Sequence, residues 1–572
     1  MVCCPLRLSS RGYACFSADR AAGDQYRSLK SGLLQVPELH LPFVRFIPLA
    51  ASIAAALIAL PGLPTPWAWA LLASGVAFSC VGLYDLRQPL HSVRRNYPIV
   101  GRLRWFFEDI RPGLRQYLFE DDHEETPFSR SQRSLVYARA KNEVSDRAFG
   151  TLVDVYENGY EFIAHSTRPV PVADPAGFRI PIGGEACRQP YSASIFNISA
   201  MSFGALSANA IRALNKGAKL GGFAHDTGEG SISPYHREHG GDLIWEIGSG
   251  YFGCRDEEGA FDPGRFAEQA ADPQVRMIEL KISQGAKPGK GGILPAEKVT
   301  PEIAATRGIP MGRDCISPPG HSAFSTPIEL VQFIARLREL SQSKPVGFKL
   351  CVGQPWEFMA IVKAMLKTGI LPDYIVVDGA EGGTGAAPLE FTDHLGMPLR
   401  ESLLFVHNTL VGAGLRQKIK IGAAGKIVSA FDIATVMALG ADWTNAGRGF
   451  MFAIGCIQSL SCHTNLCPTG VATQDPMRQR ALVVSDKATR VYNFHRNTLL
   501  ALSEMIAAAG LDHPGRLGPH HLVRRVSLTE IRLFSQLHIF LEHGELLSGA
   551  SERDFYSAAW RLARADSFQI AI

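Results

Sequence analysis

Charge of one sign is nearly absent from this chain of 572 residues: 58 Lys and Arg stand against 54 Asp and Glu, leaving a formal net charge of +4. So weak a bias argues against a nucleic-acid partner, whose affinity would come largely from neutralised phosphates. Cysteine is scarce, with 11 residues, far below the density of a disulfide-stapled secreted scaffold. Glycine and proline follow no fixed period, and the 46% hydrophobic content excludes disorder and fibrous repeats. No GxGxxG fingerprint follows the first strand candidate, which argues against a dinucleotide-binding open sheet.

What the first hundred residues do contain is two long apolar runs, Phe46 to Leu63 and Trp67 to Leu83, joined by Pro64-Thr65-Pro66. Each reaches the lower limit of the ~17–25 residues that cross a bilayer as a helix, so residues 43–86 read as a transmembrane helical hairpin. Arg45 and Lys30 precede it, and Arg87, Arg94, Arg95, Arg102 and Arg104 follow it. The positive-inside rule then places both ends, and everything after them, in the cytoplasm at the inner membrane. A hairpin buried in a soluble core is the alternative. Residues 1–42 read as an N-terminal tail and 87–150 as a polar connector with amphipathic helices.

Beyond residue 150 the pattern changes to short apolar segments ending in glycine-rich or polar turns. Eight strand candidates fall at 191–198, 221–226, 276–283, 313–317, 345–351, 373–378, 418–423 and 442–446. Helical stretches such as 206–220, 326–341, 354–369 and 428–439 separate them. Strands alternating with helices imply parallel pairing, and eight such units fit an α/β fold of the (β/α)8 TIM-barrel type. Chemistry in that fold sits just after the strand C-termini. Gly425 and Gly447, in the loops after the last two candidates, are suited to let backbone N–H groups approach a phosphate, with Arg448 as a charge partner. Lys349 lies inside the apolar run Val346–Leu350, where a buried ammonium needs an anionic or electron-rich partner. The pyrimidine edge of a reduced flavin would suit it.

Cys456, Cys462 and Cys467 form C-x5-C-x4-C, with Pro468 after the last. Thiols this close in a reducing compartment suggest an iron–sulfur centre, and three ligands rather than four favour [3Fe–4S]. Zinc prefers closer pairs and four ligands. Three unrelated buried cysteines are the bland alternative.

Taken together, Ala200-Met201-Ser202-Phe203-Gly204, Thr227-Gly228-Glu229-Gly230, Gln284 to Gly289, Ile316 to Pro319, Gly382-Gly383-Thr384-Gly385 and Cys462 to Pro468 resemble the FMN-binding synthase domain of glutamate synthases, in order, over roughly residues 150–510. The likeness is to stand-alone, membrane-anchored members. The resemblance implies a barrel that holds FMN and a [3Fe–4S] cluster and reduces 2-iminoglutarate, made from 2-oxoglutarate and ammonia, to L-glutamate. It further implies that Met201, Ser202 and Gly204 support the flavin, Lys349 its pyrimidine edge, and Gln284 the ring or substrate. Lys281 and Lys287 become contacts for the 2-oxo acid carboxylates, and Glu229 a polar site residue. Gly383, Thr384, Gly425 and Gly447 fall to the phosphate, with Arg448 beside them, and the three cysteines to the cluster.

Three departures from the family shape the remaining expectations. Val2 follows Met1 where full-length enzymes expose a catalytic cysteine of a glutaminase domain. Residues 511–572 read as a short helical tail in place of a glycine-rich domain. The seventh loop is Ala423-Ala424-Gly425-Lys426, without the usual acidic residue and paired glycines. Ammonia is therefore expected from solution or a separate glutaminase subunit, and electrons from ferredoxin or a separate reductase. Two other readings keep the barrel: an enzyme making an N-substituted glutamate from another amine, and a membrane-tethered electron-transfer subunit that turns over no 2-oxo acid.

Overall fold

The computed structural model describes residues 43–123, 126–144, 146–549 and 554–570; the tail expected over 1–42 lies outside them. Contacts divide the chain into two units, one ending at Glu120 and the other starting at Asp121.

In the first unit, α1 (Ile47–Ala59) is extended by a tight 3-10 turn at each end, and α2 (Pro66–Arg87) follows the proline linker. Thr65 caps α2 and Pro66 occupies its first turn, where proline loses no hydrogen bond. The apolar stretches Val44–Gly62 and Pro66–Arg87 span 19 and 22 residues with mean hydropathy 1.9 and 1.5, and only 17% of each apolar window is covered within the structure. A soluble core helix would be mostly covered. Small residues let the two helices close on each other: a Cβ at Gly75 would lie 2.7 Å from the Ala56 nitrogen, and the Ser52 and Ser79 hydroxyls are 3.1 Å apart. Near the C-terminal end of α2 the buried Asp85 is gripped at 2.8 Å by Arg102, in the first turn of α3 (Gly101–Leu114).

The second unit begins with α4 (Arg130–Lys141), opened by a Ser129/Gln132 capping box. The expected connector over 87–150 is thus divided, because Val136 and Ala140 give α4 a fully buried face within the larger unit. Next come β1 (Glu161–Ile163) and an antiparallel hairpin of β2 (Arg179–Ile182) with β3 (Tyr191–Ser194). The barrel follows: β4 (Phe196–Ile198), β5 (His225–Asp226), β6 (Leu243–Ile247) and β7 (Val275–Lys281), then, after a long excursion, β10 (Val346–Leu350), β11 (Tyr374–Asp378), β12 (Lys420–Ala424) and β13 (Trp443–Ala446). The excursion carries an antiparallel pair, β8 (Ile293–Leu294) with β9 (Cys315–Ile316), and between them α5 (Pro301–Arg307). All eight barrel strands pair in parallel, and β13 meets β4 to close the ring.

Two expectations are corrected. The strand expected at 313–317 is β9, outside the barrel, and the true third barrel strand is β6, which sequence reading passed over. The expected strand 191–198 is two strands, with β3 turning back on β2 before β4 enters the ring. The tail after 511 also differs: β14 (Leu522–Arg525) pairs with β1 and with β15 (Ile531–Leu533) in a three-stranded antiparallel sheet. Arg400 and Arg524 both close on Glu161 of β1 at 2.6 Å, which ties this sheet to the barrel's outer helices.

Candidate active site

Five charged side chains from four consecutive barrel strands meet inside the ring. Asp226 leaves β5, Glu246 β6, Glu279 and Lys281 β7, and Lys349 β10. The three carboxylates offer oxygens within 4.8 Å of one another. The Lys349 ammonium is paired with Glu246 and lies 3.3 Å from Glu279 and 3.9 Å from Asp226. Burial works against its charge, but the carboxylates hold it well above the ordinary lysine value. Burial also pushes Asp226 well up and Glu279 up to about 7. The partner expected of a lysine inside the barrel is therefore an acidic cage contributed by the protein itself.

The cage continues outward. Lys281 lies 4.0 Å from Glu246 and 3.1 Å from Glu229 in the loop after β5. Burial tends to raise Glu229, yet Lys281, Arg307 and Lys287 more than offset it and keep the carboxylate below its ordinary range. Gly248 and Gly292 make room for it; a Cβ at Gly248 would lie 2.9 Å from the Glu229 carboxylate. Lys287 is buried, donates to the Ala386 carbonyl at 3.2 Å and is pushed by burial down to about 8. Gln284 is half-buried in the same loop, and the loop is pinned by Gly285 N–H donating to Asp378 at 2.8 Å. The structure thus brings Glu229, Lys281 and Lys287 together. His321 accompanies them, its Nε2 2.8 Å from the Lys281 carbonyl and its Nδ1 3.0 Å from the Tyr251 hydroxyl, and burial lowers it to about 4.

Further round the same C-terminal rim, Gly383 and Thr384 follow β11, Gly425 follows β12, and Gly447 and Arg448 follow β13. A Cβ at Gly383 would lie 2.7 Å from Arg448 Nε, and one at Gly425 3.5 Å from the Glu381 carboxyl carbon. Arg448 donates to the Glu381 carbonyl at 2.7 Å and covers the Phe128 ring at 4.7 Å. Burial lowers its guanidinium to about 10, and among the described residues no carboxylate forms an ion pair with it. Asp378 and Glu381 favour its charge without pairing with it, and a half-buried cation in that state suits an anion such as phosphate.

Met201, Ser202 and Gly204 form a loop after β4 held by its own carbonyls. Arg307 donates to Phe203 at 3.3 Å, Gln474 to Gly204 at 3.0 Å and Leu206 at 2.9 Å, and Lys298 to Ala205 at 3.1 Å. Gly228 fits against it; a Cβ there would come within 2.9 Å of the Ser202 nitrogen.

Cys456, Cys462 and Cys467 lie on one loop after the short helix α6 (Arg448–Ala453). Burial raises Cys456 to about 12 and also raises Cys462, with the neighbouring thiols adding to both. At Cys467 the Thr469 hydroxyl and the N–H groups of Ala472, Thr469 and Val471 outweigh burial and lower the thiol. Tyr137 donates to the Cys456 carbonyl at 2.7 Å and Lys298 to the Cys462 carbonyl at 3.0 Å. Three thiols on one loop that influence one another's charge, one of them in a nest that favours thiolate, form a donor set whose chemistry fits a sulfur-ligated iron centre.

Sequence reading missed Asp226, Glu246, Glu279 and Lys298. The signal for Glu246 and Glu279 was the one that singled out Lys349, a charge inside an apolar strand. Lys298 had no comparable signal, since its 3-10 turn reads as ordinary loop.

A closed parallel barrel with a cationic, partly buried rim defines an enzyme of the (β/α)8 class. Residues 179–512 match the conserved region in glutamate synthase. The chain is 39% identical over 490 residues to the glutamate synthase large subunit-like protein YerD of Bacillus subtilis (strain 168), covering 79% of this chain and 93% of that protein. It is 37% identical over 338 residues to an archaeal glutamate synthase (NADPH) of Methanocaldococcus jannaschii, covering 59% of this chain and 63% of that protein. Against the glutamate synthase (NADPH) large chain of Bacillus subtilis it is 34% identical over 289 residues, only 18% of that longer chain. The chain belongs to the glutamate synthase family, and it is a glutamate synthase-like oxidoreductase acting on the CH–NH2 group.

Proposed function

We propose that this protein is an FMN-dependent enzyme that reduces 2-iminoglutarate, formed from 2-oxoglutarate and ammonia, to L-glutamate, with electrons delivered through a three-cysteine iron–sulfur cluster. The observation that carries it is the convergence of Glu229, Lys281 and Lys287 at the C-terminal end of the barrel. Met201 to Gly204 would support the ring, Lys349 and Gln284 would lie towards its pyrimidine edge, and Gly383, Thr384, Gly425, Gly447 and Arg448 would hold the phosphate. Cys456, Cys462 and Cys467 would ligate the cluster. When bound, FMN supplies a hydride to the imine carbon and the cluster supplies single electrons.

The chain's own groups do the rest. Lys281 and Lys287 are cations on flexible stems, suited to the two carboxylates of a small 2-oxo dianion. Clamping both ends fixes the imine carbon, and orientation of that kind contributes much of the rate. Lys287, its ammonium brought down to about 8 by burial, donates a proton from Nζ to the new amine. Glu229 stays ionised and accepts an N–H of the incoming ammonia at Oε2. The apolar hairpin of α1 and α2 anchors the chain in the inner membrane, with the barrel in the cytoplasm. Ferredoxin or a separate reductase brings the electrons, and ammonia comes from solution or a separate glutaminase subunit.

The test is to purify the full chain in detergent without air, record its visible spectrum, assay acid-labile sulfide, and measure glutamate from 2-oxoglutarate with ammonium against methylated amines. A flavin band, sulfide and ammonium-dependent glutamate are expected. A colourless protein sinks the proposal, and turnover with methylamine alone moves it to an N-substituted product.

A further inference from the structure

Lys298 ends a 3-10 turn, Ala296–Lys298, and is 2% exposed. Its ammonium donates in two directions, to the Ala205 carbonyl at 3.1 Å and the Cys462 carbonyl at 3.0 Å. Ala205 belongs to the loop after β4 and Cys462 to the thiol loop, so one buried side chain fastens the two loops together. Neutral carbonyls alone do not offset a buried charge, which ordinarily requires an anion. Among the described residues no carboxylate forms an ion pair with Lys298. Burial works against its charge and brings the ammonium down to about 8; Cys462 and Cys467 favour the charge, while Arg307 opposes it. The counter-charge within its reach is therefore the negative charge that Cys462 and Cys467 would carry as ligands.

We infer that Lys298 is the charge that sets the reduction potential of the sulfur-ligated centre, besides holding the thiol loop against the loop after β4. The inference rests on the cluster reading above. A fixed cation beside an iron–sulfur centre stabilises the state carrying the extra electron, because net charge and hydrogen bonding near the cluster set its potential. Gln474 ties the same two loops through Gly204 and Leu206, so the fold keeps a second fastening when Lys298 is changed. Arg133 supplies positive charge at Cys456, whereas Lys298 is the cation acting on Cys462. Lys298 is a positioning and tuning residue, not one that touches substrate.

Two variants of the full chain separate charge from tether. Lys298→Gln keeps hydrogen-bond donors and removes the charge; Lys298→Arg keeps the charge. Redox titration followed by electron paramagnetic resonance reads the cluster, and sulfide assay reads its occupancy. At equal sulfide, Lys298→Gln is expected to show about a tenfold weaker reduction equilibrium, a negative shift of about 59 mV for one electron, while Lys298→Arg stays near the parent. Loss of sulfide from Lys298→Gln but not from Lys298→Arg also supports the charge assignment. An unshifted potential in Lys298→Gln, or loss of sulfide from both variants, overturns it. A parent protein with bound flavin but no sulfide overturns the cluster reading itself, and this inference with it.

Discussion

Lys349 is costly to bury alone, and the structure surrounds it with Glu246, Glu279 and Asp226. Removing the ammonium leaves those carboxylates facing one another without a counter-charge. Lys349→Met is therefore expected to destabilise the barrel by about 3–5 kcal/mol, read as a lower denaturant midpoint at unchanged slope. A midpoint within error of the parent would mean that the carboxylates are already largely protonated. Glu279 supplies a second test, through pH. Its folded value lies above its unfolded one, so its contribution to stability is complete below about pH 4.3, the unfolded carboxyl value, and is lost as pH rises through about 7. Glu279→Gln should therefore gain on the parent across that interval, and denaturant midpoints that stay parallel from pH 4 to 8 would contradict it. At this scale the sequence was legible where a charge interrupted an apolar strand. Lys349 stood out for that reason. Glu246 has the same signature in Leu243–Ile247, but its strand went unassigned, and with it went the knowledge that Lys349 had a partner of opposite sign. That pairing depends on β6, β7 and β10 lying side by side, which no local pattern encodes.

Helices were easier to locate than strands because their ends carry their own chemistry. Ser207, Thr326 and Ser429 each accept a backbone N–H at the start of a helix over Ala208–Gly221, Pro327–Leu340 and Ala430–Ala438, within two residues of where the 3.6-residue period placed them. Barrel strands here are as short as two residues, as at His225–Asp226, so a periodicity of two has almost nothing to act on. That is why β9, an apolar pair outside the ring, was mistaken for a barrel strand; β6 was passed over although it is as long as β10. The strands β14 and β15 were hidden for the same reason, and β1, the other partner of β14, lies more than three hundred residues away in sequence. Packing between elements is equally invisible until the fold is known. Gly217, on the helix Ala208–Gly221, faces Val491 on the long helix Val484–Ala508, and a Cβ there would come within 2.8 Å of the Ala488 carbonyl. Gly217→Ala should push the two helices apart and cost about 1–3 kcal/mol through overpacking, despite alanine's better helix propensity. Thermal unfolding checks this, and a stabilised variant would show that the pair separates freely.

The division of the chain at Glu120 and Asp121 gives the membrane proposal a direct test. Every candidate site residue, from Met201 to Cys467, lies in the second unit, and so does α4, whose Tyr137 hydroxyl braces the thiol loop at Cys456. The first unit carries the two apolar helices, with Trp67, Phe78 and other large side chains exposed. Exposed apolar surface of that extent is unfavourable in water and favourable in hydrocarbon. The two Arg-rich flanks would meet anionic headgroups, each cation contributing on the order of 1 kcal/mol close to the surface. A chain beginning at Asp121 is therefore expected to stay in the soluble fraction after high-speed centrifugation, with flavin and sulfide per chain equal to those of the full protein. The full protein should instead sediment with membranes and require detergent. Soluble full-length protein would sink the anchor and leave the barrel reading intact, because the groups argued to bind flavin and cluster are all supplied by the second unit. Loss of both cofactors from a folded, soluble 121–572 chain would have the opposite meaning, since the sites would then need residues that the barrel does not supply.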